Sequence, residues 1–312
     1  MARVNYGGQA LIEGVLMRGR DAIAVAFRHP DGRIVWASEP LDSGPHGWPL
    51  ARSPLVRGLV VLYETLVVGT RWLVRSANLQ ASGEGLEIGR STVALMLAII
   101  GILGVGLFVL LPLWLSSLTA SVGASGWFQN LLEGLVRVAV FLAYLAFIAR
   151  APDIRRVFEY HGAEHMTIHA WEAGDPLTVG AVRRYPTAHP RCGTEFLVVI
   201  VVLSILLFGF IPRDSVVVTV VSRILLIPVI AAIGYELLRL GARYRSNSIV
   251  AALMAPGILI QRITTKPPSD DQIEVAIVSM EQALVADGDA APSGSDVPAR
   301  EPLRLGAAEA TA

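Results

Sequence analysis

Four apolar runs constrain this chain more than any other feature: Val93 to Leu115, Leu131 to Ile148, Phe196 to Ile211 and Val216 to Leu238. Each is close to the ~20 residues that a helix needs to cross a hydrocarbon core. With 312 residues, 53% apolar content, 17% charged residues and a mean hydropathy of +0.55, the composition is that of an integral membrane protein. The expected fold is mainly α, with four transmembrane helices arranged as two hairpins, at 91–150 and 195–240. Ten arginines precede Val93 and six lie from Arg150 to Arg191, whereas the connection from Ser116 to Asn130 carries no Arg or Lys. By the positive-inside rule both termini and the segment 151–194 face the cytoplasm, so the chain is read as a multi-pass protein whose constant partner is the lipid bilayer. Net charge is zero and no basic block marks a nucleic-acid surface. Near the amino terminus, Glu13, Arg18, Arg20 and Asp21 leave no apolar core long enough for a signal peptide.

Residues 1–50 read as a cytosolic segment. Between Arg3 and Arg20 glycines alternate with polar residues, the pattern of a backbone bending close to something else or of a plain loop. Ala22 to Phe27 and Arg33 to Ala37 flank His29-Pro30-Asp31-Gly32 and predict a small β-hairpin. Residues 51–90 hold an apolar stretch, Leu55 to Val74, in which Arg57, Glu64 and Arg71 recur every seven residues as one polar stripe. Such a helix lies in the membrane interface or packs its stripe on the protein; three charges argue against its spanning.

The chemistry gathers in Glu159-Tyr160-His161-Gly162-Ala163-Glu164-His165-Met166-Thr167-Ile168-His169. On a helix, His161 and His165 stand one turn apart on one face with Glu164 beside them. Two imidazoles at that spacing can share a metal ion, and the carboxylate can take a proton from a metal-bound water, as in H-x-x-E-H metallohydrolases of the inverted zincin type. The same residues on a solvated surface helix would do nothing of the kind. This helix is expected to restart at Pro152 and to stop at Gly174-Asp175-Pro176.

His189 and Cys192 lie three apart on a tight turn before the third apolar run and are competent ligands or bystanders. Cys192 is the lone cysteine, which excludes an internal disulfide and any paired-cysteine zinc site. Glu236 follows His165 by about seventy residues, the distance at which inverted zincins supply a further glutamate ligand. Glu133 and Arg137, one turn apart, and Arg223 form an expected intramembrane charge cluster, read as a clasp between the two hairpins, a headgroup site or a transport path. Residues 241–286 read as an interfacial segment, Ser248 to Ile263 broken at Pro256-Gly257, followed by an amphipathic helix with a capping box at Ser269–Gln272 and an apolar stripe of Ile273, Ile277, Met280 and Leu284. Residues 287–312 have the composition of a disordered tail.

Taken together, Gly7 to Gly19, Glu159 to His165, His189-Pro190-Arg191-Cys192-Gly193-Thr194 and Gly234-Tyr235-Glu236-Leu237 resemble the YqhQ-like family of bacterial membrane proteins, from about Val4 to Leu284. The resemblance implies a predicted metal-dependent enzyme of the bacterial cell membrane. Its implied ligand pool is His161, His165, His189 and Cys192, with Glu164 as base and Glu236 as a competing ligand for a divalent metal, Zn2+. His169 stands where the family has Asn and is left outside the metal shell. Two readings follow: a zinc hydrolase acting at the cytosolic membrane surface on a lipid-linked or membrane-proximal substrate, or a noncatalytic scaffold or transport accessory with a closed, four-ligand structural site.

Overall fold

The computed structural model describes residues 6–41, 48–83, 89–190, 192–211, 215–244, 246–289 and 300–303. At the amino terminus β1 (Gly7–Leu11) and β2 (Gly14–Arg18) form a hairpin through Glu13, whose φ is +53°. The glycine-rich stretch is therefore strand rather than loop. The predicted second hairpin follows as β3 (Ala22–Arg28) and β4 (Ile34–Pro40), and β5 (Arg300–Pro302) lies parallel beside β4.

Both faces of this sheet are covered, which is why Ala22–Phe27 is buried without a break. Ile23, Val25 and Phe27 point to one face and pack with Trp72 of α1 (Val56–Gly83). Small Ala24 and Ala26 point to the other, where helices must come close. The stripe on α1 binds the protein: Arg57 pairs with Glu236, Glu64 with Arg18 at 2.5 Å, and Arg71 with Glu39.

The apolar half begins with α2 (Arg90–Val105), a π turn (Gly106–Leu110) and α3 (Leu111–Ser117), continuous to Val122. The antiparallel partner, α4 (Gly126–Ile148), starts on an N-cap from Ser125. Pro112 has no N–H for the carbonyl four residues back, Phe108, and Arg137 Nε donates to that oxygen at 2.9 Å. After α5 (Pro152–Ala173) and the short α6 (Val179–Val182) come α7 (Gly193–Gly209), α8 (Val216–Leu225), α9 (Ile227–Arg243) and α10 (Ser248–Thr264). Two helices, Ser91–Val122 and Gly126–Ile148, are long and apolar enough to cross a membrane, and α8 with α9 makes a third if counted as one span bent by 41°. That bend falls just before Pro228, which interrupts the helical hydrogen bonding. α7 is apolar but has 17 residues. The structure thus supports two or three candidate spans where the runs suggested four. α10 is one helix with Pro256 inside it, not the broken segment expected, and its Gly257 sits against Glu195 of α7.

The expected charge cluster is assembled: Glu133 accepts from Arg137 Nη2 at 2.7 Å and from Arg223 Nη2 at 2.9 Å.

The last helix, α11 (Asp270–Ala286), opens on the predicted Ser269/Gln272 capping box. Its apolar stripe turns to the protein interior. The helix is buried nearly all round against the sheet and α5, with Ile273, Val275, Ile277, Val278 and Met280 all inaccessible, so it is a core helix and not an interfacial one. Of the tail expected to be disordered, the described residues 287–289 and 300–303 are held against the sheet. Asp287 accepts from the backbone N–H groups of Arg20, Asp21 and Ala22 at 2.7, 2.9 and 3.1 Å and from the Tyr6 hydroxyl at 2.8 Å, and Arg300–Pro302 joins the sheet. Residues 290–299 and 304–312 lie outside those described. Replacing this buried acceptor, Asp287→Ala, should lower stability by more than about 3 kcal/mol, since bonds to a charged group contribute about 1.5–3 each and here several are lost together. Denaturant titration of the detergent-solubilised protein checks it.

Candidate metal centre

Helix α5 carries the site because one side of it is pressed against β1, β2 and α11 while its polar face meets the connection running from Gly174 to Cys192. Pro152 occupies its first turn, and Gly174 at φ +82° ends it as expected. Glycine is required at 162: a Cβ there would lie 2.2 Å from the Lys266 carbonyl oxygen, so only glycine lets α5 lie against the end of α10. That approach brings the Thr264 carbonyl within 2.8 Å of His161 Nδ1. One turn on, the Thr187 carbonyl lies 2.6 Å from His165 Nδ1.

A carbonyl can only accept, so in both rings Nδ1 carries the proton and Nε2 holds the basic lone pair. Metal-binding histidines are commonly oriented by this kind of bond from their other nitrogen. The two rings stand 4.4 Å apart between centroids. Cys192, the N-cap of α7, completes a set of three: its Sγ lies 3.3 Å from His161 Nε2, and one donor atom from each of His161, His165 and Cys192 lies within 4.8 Å of the others. Two donors bound to one zinc ion about 2.0–2.3 Å away at the tetrahedral angle would be about 3.3–3.6 Å apart. The pair distance fits.

The turn that delivers Cys192 is clamped from α10. Gln261 accepts from the His189 N–H at 2.8 Å through Oε1 and donates to the His189 carbonyl at 2.9 Å through Nε2. The Cys192 sulfur accepts from Thr194 N and Oγ1, at 3.4 and 3.3 Å. Burial raises the Cys192 thiol above its ordinary range, with the Thr194 bonds opposing, and burial holds His165 well below its ordinary value, in the neutral form that ligates.

Glu164 lies in the same cavity, a space of about 40 Å³ lined also by Tyr6, Gly7, Gly8, His189 and the three donors. Burial pushes its carboxyl up to about 8, against the pull of His161 and of the Gly8 N–H, with Cys192 raising it further. Oε2 is buried and has no hydrogen-bond partner among the described residues. A Cβ on Gly8 would sit 2.9 Å from the Glu164 Oε1 and 2.4 Å from the Leu16 carbonyl, so glycine allows β1 to pass against this carboxylate. The orphaned oxygen and three converging donors fit a cation with one bound water in the cavity.

Of the two remaining expected ligands, Glu236 goes elsewhere, and His189 lines the cavity without joining the set of three. Glu236 pairs with Arg57 and accepts from the Leu55 N–H at 3.2 Å, so it is not brought to the cluster. His189 lies beside His165, ring centroids 5.6 Å apart, but its donors group with His169 and Glu172. Arg191 of the same motif lies outside the described residues. Neither the Thr187 and Thr264 carbonyls nor Gln261 was foreseen. A glutamine in the apolar run 248–263 was the available signal for the last; carbonyl direction leaves none.

The family described as "Protein of unknown function (DUF1385)" matches residues 53–286. The chain is also 32% identical over 296 residues to "Uncharacterized protein YqhQ" of Bacillus subtilis (strain 168), covering 89% of this chain and 92% of that relative. No solved structure matches.

Proposed function

The chain belongs to the DUF1385 family of proteins of unknown function, and we propose that this member is a zinc-dependent hydrolase acting at the cytosolic face of the bacterial cell membrane. One observation carries the reading: the Nε2 atoms of His161 and His165 are both left basic by backbone carbonyls at Nδ1, and the only cysteine comes to 3.3 Å from the first of them. His161, His165 and Cys192 would hold the ion. Bound there, zinc would make a coordinated water acidic near neutral pH. Glu164, against that space, would be favoured as the carboxylate by the bound cation, and would then take the proton from the water and deliver it to the leaving group. Three donors favour an open coordination position over the closed structural site of a scaffold, because His189, the fourth member such a site needs, is grouped with His169 and Glu172.

The membrane arrangement is proposed as four crossings, with α7 and the bent α8–α9 pair forming the second hairpin and both termini cytoplasmic. Supporting this, Leu95, Ile100, Ile102, Leu103, Leu206 and Val217 present bare apolar surface on the helices concerned. The substrate is proposed to be lipid-linked or membrane-proximal. A second cavity of about 420 Å³ shares Tyr6, Gly7 and Gly8 with the metal cavity and extends between the sheet, α1 and the end of α9, where Val68, Leu238 and Arg239 line it. Its walls are partly apolar and carry Arg18 and Arg239 together with Glu64 and Glu195.

Glu164→Gln should retain the ion and abolish hydrolysis of any ester, amide or phosphoester that the native protein turns over. A variant that still turns over removes Glu164 from the role of base.

A further inference from the structure

We propose that His169, Glu172 and His189 form a second site, for a divalent transition-metal ion, separate from the site at His161, His165 and Cys192. One donor atom from each lies within 4.8 Å of the others, and the two sets of three share no residue. Two imidazoles and one carboxylate are a donor set that holds Zn2+ in hydrolases and Fe2+ in oxygenases.

The three donors are brought together by α5 and the turn at His189. His169 and Glu172 are three residues apart on α5 and so share a face. The His169 ring is fixed twice: Nε2 donates to the Ala188 carbonyl at 3.0 Å, and the ring stacks on Tyr185 with centroids 6.0 Å apart and planes 6° from parallel. That bond puts the proton on Nε2 and makes Nδ1 the basic nitrogen, the same device that prepares His161 and His165. His189 is fixed through its backbone by Gln261.

His189 Nε2 and Glu172 Oε2 are 3.4 Å apart. A charge-assisted bond between them would be about 2.7–2.9 Å. At 3.4 Å the pair is a long hydrogen bond, and the same separation is close to the edge expected of two donors on one tetrahedral ion, about 3.3–3.6 Å. His169 and His189 rings stand 4.5 Å apart, and His165 lies next in line, so four imidazoles run in a row from one donor set to the other. Each set includes one group that is anionic when it ligates, the Cys192 thiolate or the Glu172 carboxylate, which limits repulsion between two neighbouring cations. Glu172 is about a third exposed, at 32%, whereas His165 and Cys192 are buried. The second ion would therefore meet solvent, and its remaining positions would take water or an anionic oxygen of a bound molecule.

This inference does not depend on the first ion, and the test separates the two. Native protein, Glu172→Gln and His169→Phe, which keeps an aromatic ring on Tyr185, are purified full-length in detergent and equilibrated with Zn2+. Metal per chain is counted by mass spectrometry, and melting temperature confirms the fold. A parallel Co2+ loading reports thiolate ligation at Cys192 by its charge-transfer band. Two equivalents in the native protein falling to one in each variant, with the cobalt–thiolate band undiminished, is the expected result. One equivalent in the native protein that the Glu172→Gln variant retains, or two equivalents retained in that variant, overturns the second site. A native protein without the band whose ion is lost in the Glu172→Gln variant sinks the first site and leaves the second standing.

Discussion

The His161→Ala/His165→Ala protein is expected to lose the ion held by the first site and with it most of the effect of chelators on stability. Both basic Nε2 atoms of that site disappear in this variant, leaving Cys192 with no nitrogen donor from the set of three. A ligand that binds only the folded state stabilises it by about 4 kcal/mol when present at a thousand times its dissociation constant. Removing the site forfeits that contribution. The truncations also open space next to Glu164, so the comparison must separate packing from binding. In the native protein a strong chelator should lower the melting temperature; in the double variant the same treatment should produce a much smaller shift, confined to whatever the second site contributes. Equal chelator shifts in the two proteins would mean that these imidazoles do not hold the ion.

The second large effect lies in the apolar bundle. Glu133 and Arg223 are each 1% exposed, and Glu133 also accepts from Arg137. Arg223 further donates to Asn130 Oδ1 at 2.9 Å and lies 4.3 Å from the Phe208 ring centroid. Glu133→Leu would remove the shared carboxylate from two guanidinium groups at once. Breaking a buried pair from one side costs about 3–5 kcal/mol, because the remaining charge has no compensation. Arg223→Met should cost less, since Arg137 still neutralises Glu133. The Glu133→Leu/Arg223→Met double variant should in turn be more stable than Glu133→Leu alone, with Arg137 keeping its bond to the Phe108 carbonyl. Unfolding of all four proteins in one detergent measures the order. If Glu133→Leu proves no worse than Arg223→Met, the shared carboxylate is not what ties α4 to α8.

What was legible in the sequence was what is local. His161 and His165 at one-turn spacing, the Pro30-Asp31-Gly32 hairpin, the Ser269/Gln272 capping box and the seven-residue stripe on α1 each depend on residues close in the chain, and each is present as read. What failed depends on distant partners. Residues 7–18 did not read as strands because glycines at 7, 8 and 14 blur the alternation, and the sheet gains its cover from α11, some 260 residues later. The stripe on α11 was visible, but periodicity does not distinguish a helix lying on a membrane from one lying on a sheet. Glu236 has the spacing of a ligand and the position of a partner for Arg57. Likewise His189 and Cys192 are neighbours on one turn yet fall in different groups of three donors, a division made by which way one ring and one thiol project from it. His169 was set aside because the family resemblance implied Asn there; the fold places it beside His189 all the same.

The central claim is that one thiolate and two imidazoles on this chain grip a metal ion. Cys192 is the lone cysteine, so a thiolate-to-cobalt charge-transfer band in the Co2+-loaded protein can arise from no other residue. The account predicts that band in the native protein, its disappearance in Cys192→Ser, and its marked weakening in His161→Ala/His165→Ala. A folded native protein that takes up cobalt without the band would contradict it.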